Sequence, residues 1–136
     1  MLTKSIIPMA SAALAAGLIS LTGCTAADLP TTGSESSAVA DVTVSECSVS
    51  NELGAAFTHA TIKITNSTDR AQSYIATIGV NDAAGARIGE INTASNALGA
   101  GQSVTMSGPG ATGVAAQGTK AGPATCVVAN VTRVPS

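Results

Sequence analysis

The sequence predicts an all-β fold, a β-sandwich of six or seven strands. After residue 40 the chain consists of short segments in which apolar and polar residues alternate, and Gly, Asn and Asp separate these segments. No sustained helical period follows the apolar N-terminus. The strand count over residues 41–136 fits one domain of immunoglobulin-like size. A small barrel is the alternative, because strand number alone does not decide whether a sheet closes.

Each strand is predicted from this alternation. The first is DVTVSECSVS (41–50), and the second, FTHATIKITN (57–66), places Ala60, Ile62 and Ile64 on one face. The third, SYIATIGVND (73–82), places Tyr74, Ala76, Ile78 and Val80 together, with the Tyr74 hydroxyl expected at the rim of the core. A turn at Asp82 and Gly85 leads into RIGEINTA (87–94). The remaining strands are predicted in QSVTMS (102–107), near 114–116 and in TCVVANVTRV (125–134).

The N-terminus has the pattern of a secretory signal, with Lys4, an uncharged apolar run from residue 6 to 21 and then small residues. The run is shorter than the roughly 20 residues that a membrane-spanning helix needs. Leu21-Thr22-Gly23-Cys24 resembles the lipobox of bacterial lipoproteins, whose cysteine receives a diacylglyceryl group before cleavage. The resemblance implies a signal peptide at 1–23, lipidation of Cys24 and a position on the extracytoplasmic face of the cell membrane. The alternative is an ordinary cleaved signal with an incidental cysteine, which would leave an odd thiol in a secreted chain.

Two further cysteines, Cys47 and Cys126, remain if lipid occupies Cys24. An exported chain permits oxidation, so we expect a disulfide that joins the first strand to the last. The bridge would span 79 residues of sequence. Chain-entropy estimates for so long a loop give about 4 to 5 kcal/mol as an upper figure. Two cysteines and the single His59 show no ligand-like spacing, so we expect no metal.

Residues 24–40 are expected to form a lipidated cysteine and a disordered linker. The segment TAADLPTTGSESSAVA after Cys24 is almost free of large apolar residues, so it cannot bury enough surface to offset its ordering entropy. Beyond Lys4 the chain has five basic and eight acidic residues. No basic patch is available to bind phosphates, so the sequence argues against nucleic acid as a partner.

The segment from Ile64 to Gly108 resembles the FxLYD-type immunoglobulin-like domains of bacterial exported proteins. Asn66, Ser67 and Thr68 match the first turn of that family, residues 78–82 stand at the name motif with Gly85 after them, and Leu98, Ala100, Gly101 and Gln102 match the last turn. The Phe, Tyr and Pro of the family are replaced here by Ile78, Asn81 and Ala100. The immunoglobulin-like exported antigens of mycobacteria are also similar. Neither resemblance implies a catalytic residue.

Three motifs could suggest other chemistry. GPGATG spells the dinucleotide fingerprint at Gly108, Gly110 and Gly113, but no acidic residue follows it, and we interpret it as a loop. The sequons at Asn66 and Asn130 are interpreted as a turn and a strand. His59 alternates with the polar face of its strand and is expected to be solvated, since a base needs a nucleophile and an orienting acid beside it.

The function expected from these features is that of a membrane-anchored surface lipoprotein, a non-catalytic protein-interaction module of the cell envelope. Its partners would be the membrane, through the lipid on Cys24, and an envelope protein. The alternative is a small-ligand or lipid-binding protein, which would need an apolar cavity. We expect neither enzymatic activity nor a cofactor, because no set of nucleophile, base and acid can be assembled from the sequence.

Overall fold

A computed structural model of the chain describes residues 38–136. Within that range eight strands follow one another, with a single 3-10 turn at Gly108–Ala111 between the fifth and the sixth. The strands are β1 (Val42–Glu52), β2 (Ala55–Thr65), β3 (Gln72–Asn81), β4 (Arg87–Leu98), β5 (Ser103–Met106), β6 (Thr112–Val114), β7 (Gly122–Pro123) and β8 (Thr125–Pro135).

The strands form two antiparallel sheets that pack face to face, which confirms the predicted β-sandwich. One sheet has the order β5-β2-β1-β7, with β6 also paired to β2, and the other has the order β4-β3-β8. One of the eight strands was not predicted from the sequence. This is β7, a two-residue strand that pairs with β1. The short strand expected near 114–116 begins two residues earlier, at Thr112.

The core consists of the alternating side chains that the sequence assigned to one face. The side chains of β2 and β3 that were predicted to share one face are all buried, and they pack against side chains of β1, β4 and β8. Together these residues are Val42, Ala60, Ile62, Ile64, Tyr74, Ala76, Ile78, Val80, Ile91 and Val131. A second, smaller cluster of Val49, Ala56 and Ala115 lies at the other end of β1. Valine, isoleucine and alanine therefore fill a core that has a single aromatic ring.

The two sheets approach closely where β4 passes β6. Gly89 forms an isolated bridge with Ala115, and the amide of Ala116 donates to the Ile88 carbonyl at 2.6 Å. A Cβ at Gly113 would overlap the Glu90 carbonyl oxygen. Glycine at position 113 therefore permits a close backbone contact between β6 and β4, which connects the two sheets along one side of the sandwich.

The domain has two distinct ends. The chain enters beside Asp41, and the turns after β2 and β4 lie at this entry end, where the Thr65 amide donates to the Asp41 carbonyl at 2.8 Å. The opposite end, which we call the apical end, carries the loops 53–54, 82–86 and 115–121. Ala38 is buried in the core at the entry end. The packed core therefore includes a residue on the linker side of the boundary expected between residues 40 and 41.

Candidate functional site: an apical interaction surface

Two of the three cysteines lie in the described part of the chain, and they form a disulfide. Cys24, the expected lipidation site, lies outside residues 38–136. Cys47 and Cys126 form a disulfide with their Cα atoms 5.7 Å apart. The bridge joins β1 of one sheet to β8 of the other, as expected from the cysteine count. It therefore holds the two layers together, and both cysteines pack against the main core cluster.

Tyr74 takes part in a buried polar network at the entry end, so the expectation that its hydroxyl lies at the rim is wrong. The hydroxyl lies 2.8 Å from Asp41 Oδ2 and 3.1 Å from Asn66 Oδ1. Arg133 forms an ion pair with the same carboxylate oxygen at 3.1 Å. Burial, and then the hydrogen bond to Asp41, raise the pKa of Tyr74 to about 12. The network ties the first residues of the domain to β3 and β8, which is a structural role.

Asn66 also has a structural role, which supports the interpretation of its sequon as a turn. The residue is fully buried. Its side-chain amide donates to the carbonyls of Arg70 at 2.6 Å and Leu98 at 2.7 Å. Its Oδ1 accepts from the Thr68 amide at 3.0 Å. An amide nitrogen with these partners is not accessible for glycosylation in the folded domain.

The glycine motif at 108–113 does not form the helix that a dinucleotide site requires. Gly108–Ala111 make one 3-10 turn, and strand β6 follows directly. Thr112 Oγ1 donates to the Gly108 carbonyl, which closes the turn. The segment thus places β6 against β2, with Thr112 opposite His59 and Val114 opposite Phe57.

His59 lies in a polar cluster on the outer face of the β1–β2 sheet. Its Nε2 is 2.7 Å from Ser50 Oγ, and its Nδ1 is 3.3 Å from Thr112 Oγ1. Ser50 Oγ also lies 3.0 Å from Glu52 Oε1. The histidine, which was expected to be solvated, is half-buried.

The cluster brings a hydroxyl to the imidazole but does not reproduce the geometry of a nucleophile, base and acid. In such a triad the acid orients the base through its second ring nitrogen. Here that nitrogen faces a threonine hydroxyl, and the carboxylate of Glu52 lies on the serine side, 4.0 Å from Nε2. Ser50, Glu52 and Thr112 were not candidates from sequence, because their proximity to His59 depends on strand register.

Beside this cluster, exposed apolar side chains gather at the apical end. Leu53 is 108% exposed and Val114 is 68% exposed, while Phe57 is half-buried opposite Val114. Pro109 follows along the same face and shares a cleft of about 350 Å³ with Phe57 and His59. We call the set Glu52, Leu53, Phe57, His59, Pro109 and Val114 the apical patch.

Leu53 occupies a conformation that suits glycine or asparagine. Leu53 and Gly54 form the two-residue connection between β1 and β2, with φ of +51° and +82°. These values match a type I′ turn, for which Asn-Gly is the preferred pair. A leucine in this region costs about 1 to 2 kcal/mol. Since its side chain is fully exposed, packing within the domain does not offset that cost.

Two other non-glycine residues with positive φ have local structural explanations. Glu46 lies at the bulge of β1 and its carboxylate accepts from the Thr61 hydroxyl at 2.8 Å. The amide of Ala97 donates to Ser73 Oγ at 3.1 Å. No such contact explains Leu53 among residues 38–136.

Three clefts surround the loop 115–121 next to the apical patch. The first, of about 420 Å³, extends from Val49 and Ile88 to Lys120. The second, of about 320 Å³, lies beside Gly54 and is walled by small or apolar residues: Gly54, Ala55, Ala56, Val114, Ala115 and Gly118, with Gln117. The third, of about 250 Å³, places Lys120 near Asn51 and Gly54. The apical end therefore combines a protruding leucine with concave surface.

Comparison of the chain with known protein families, curated proteins and solved structures found no match. The resemblances to lipoproteins and to FxLYD-type domains therefore stay hypotheses. Within residues 38–136 no helix is long and apolar enough to cross a bilayer. The same range contains no group of three or more His, Cys, Asp or Glu side chains able to hold a metal ion.

Proposed function

We propose that this protein is a lipoprotein anchored through Cys24 on the extracytoplasmic face of the cell membrane, and that its domain is a non-catalytic interaction module of the envelope. The module binds another protein chain through the apical patch. The observation that carries this proposal is the full exposure of Leu53 in a strained turn. Strained residues that gain nothing from packing are concentrated at binding sites.

The position of the patch supports this assignment. β1 has 11 residues, so at about 3.3 Å per residue its far end lies about 35 Å from the point where the chain enters. A tether from Cys24 attaches at the entry end. Leu53 and the turn that carries it therefore lie at the end of the domain away from the attachment point, where another protein can reach them.

The chemistry of the patch also suits a protein partner. Leu53, Phe57 and Val114 offer apolar contact area, while Glu52 and His59 offer hydrogen-bonding groups at its margin. An apolar centre with a polar rim is the usual arrangement of protein–protein interfaces. The threonine opposite the second nitrogen of His59 argues for recognition rather than catalysis.

Photo-crosslinking in intact cells tests the proposal. A photoreactive amino acid replaces Val114 of the full chain, and in a control it replaces Val134, which is 48% exposed on the other sheet near the entry end. We expect protein adducts from position 114 and few from position 134. Equal adducts from both positions, or adducts with lipid alone, would contradict the proposed function.

A further inference from the structure

We propose that the partner of the apical patch is a second copy of this chain, with Leu53 of each copy seated in the small-residue cleft of the other. This inference rests on the proposed function, because it names the occupant of the same surface. The contact is isologous: one two-fold axis beside the β1–β2 turn generates both halves.

A protruding group and a matching depression lie next to each other on the apical end. Leu53 extends from the turn, and the cleft of about 320 Å³ begins at the next residue, Gly54. Alanine and glycine form most of its wall, so an apolar side chain can enter without meeting a charged group. In a two-fold pair each copy contributes one leucine and one cleft. Two equivalent insertions therefore form at once.

The charges at the turn are complementary under the same two-fold relation. Glu52 lines the cleft beside Phe57 and His59. Lys120 lines a different cleft, beside Asn51 and Gly54. Within residues 38–136 Lys120 forms no ion pair, and Glu52 accepts a hydrogen bond from Ser50 and has only His59, at 4.0 Å, within ion-pair distance. In the proposed dimer the two-fold axis at the turn brings Glu52 of one copy toward Lys120 of the other. Complementary charges of this kind fix the register of an interface.

The full chain, purified in detergent, provides the first test. Light scattering that separates protein mass from detergent mass is recorded over a concentration series for the wild type and for Leu53→Asn. Because asparagine suits the turn, this variant keeps the monomer folded. Burial of an exposed leucine corresponds to at least about tenfold in affinity per copy, so the two copies predict a loss of about 100-fold in dimer affinity. Ile75→Thr, at a site 56% exposed on the other sheet, is the matched control and should dimerise like the wild type.

Charge exchange tests the register. Glu52→Lys and Lys120→Glu should each weaken the dimer, and the double variant should recover most of the wild-type affinity. If the double variant is weaker than both single variants, the proposed two-fold register is wrong.

The outcomes separate this inference from the proposed function. A chain that stays monomeric, while crosslinks from position 114 still capture a different protein, overturns the inference and leaves the interaction module intact. Crosslinks between two copies that Leu53→Asn removes support both. A dimer that survives Leu53→Asn overturns the proposed contact.

Discussion

Substitution of Gly113 by alanine tests how the apical surface is supported. The added Cβ would overlap the Glu90 carbonyl oxygen and would lie 2.8 Å from Thr58 Oγ1. The obstacle is mainly backbone, which cannot rotate away as a flexible side chain does, so β6 must move from β4. Overpacking of this severity costs about 3 kcal/mol or more. For a domain near 100 residues this corresponds to a fall in melting temperature of roughly 12 to 24 °C.

Gly110→Ala supplies the matched control for this substitution. Gly110 lies three residues earlier, and the nearest atom to an added Cβ is Met106 Cβ at 3.8 Å, an ordinary contact. Thermal unfolding followed by circular dichroism should show the control near the wild type and Gly113→Ala far below it. Similar melting temperatures for the two variants would refute the view that the β4–β6 contact requires glycine.

Four further predictions follow from the remaining features. Intact-mass measurement of the membrane-bound protein should show cleavage before Cys24 and an added diacylglyceryl group; an unmodified chain that begins elsewhere would exclude the lipid anchor. Replacement of both Cys47 and Cys126 by serine should lower the free energy of unfolding by up to about 4 to 5 kcal/mol while the β-sheet spectrum persists at low temperature; an unchanged urea midpoint would contradict the stabilising role of the bridge. Thr58 Oγ1 is buried without a hydrogen-bond partner, so Thr58→Val should stabilise the fold by about 1 kcal/mol. The control Thr93→Val removes a hydroxyl that contacts Met106 Sδ at 3.1 Å and should not stabilise it; equal effects of the two substitutions in denaturant unfolding would show that the unpaired Thr58 hydroxyl is not destabilising. The pKa of Tyr74 is raised to about 12 in the fold, so the stabilisation of the fold by neutral Tyr74 is complete below pH 10 and is lost as the pH rises from 10 to 12, by at most about 2 to 3 kcal/mol. The stability of Tyr74→Phe should not fall in this way, and an identical dependence of stability on pH in both proteins would show that Tyr74 does not cause the alkaline loss.

The sandwich could be predicted because its signal is local. In β2 and β3 every second residue is apolar, so the faces that carry Ile62 and Ile78 follow from the period of a strand. The disulfide could be predicted for a different reason, since only Cys47 and Cys126 remained to form a pair once Cys24 was assigned to lipid. Both predictions depended on counting and periodicity, which a single sequence contains.

The apical patch was not predicted because its signals are tertiary. Asn-Gly would have marked the β1–β2 turn from sequence, but Leu53 precedes Gly54 and gives no such mark. The bulge between Ser45 and Ser48 shifts the register of β1. The alternation of that strand alone therefore does not show that Ser50 comes within 2.7 Å of His59. A leucine between two predicted strands, directly before a glycine, was the one available signal.

The entry end was missed for a similar reason. Tyr74 was expected to keep its hydroxyl at the rim because a buried hydroxyl needs a partner. Asp41 and Asn66 supply that partner from positions 33 and 8 residues earlier in the chain. Distant residues of this kind cannot be paired by periodicity, so the buried network appears only in the folded domain.

Leu53 serves binding at the expense of folding, and the variant Leu53→Asn separates these two effects. Two quantities are measured on the same full chain: the free energy of unfolding in denaturant and the yield of protein crosslinks from position 114 in cells. We expect the free energy of unfolding to rise by about 1 kcal/mol, because asparagine adopts the positive φ at lower cost than leucine. We also expect the crosslink yield to fall sharply. A less stable domain, or a stable one that crosslinks as well as the wild type, would contradict this role of Leu53.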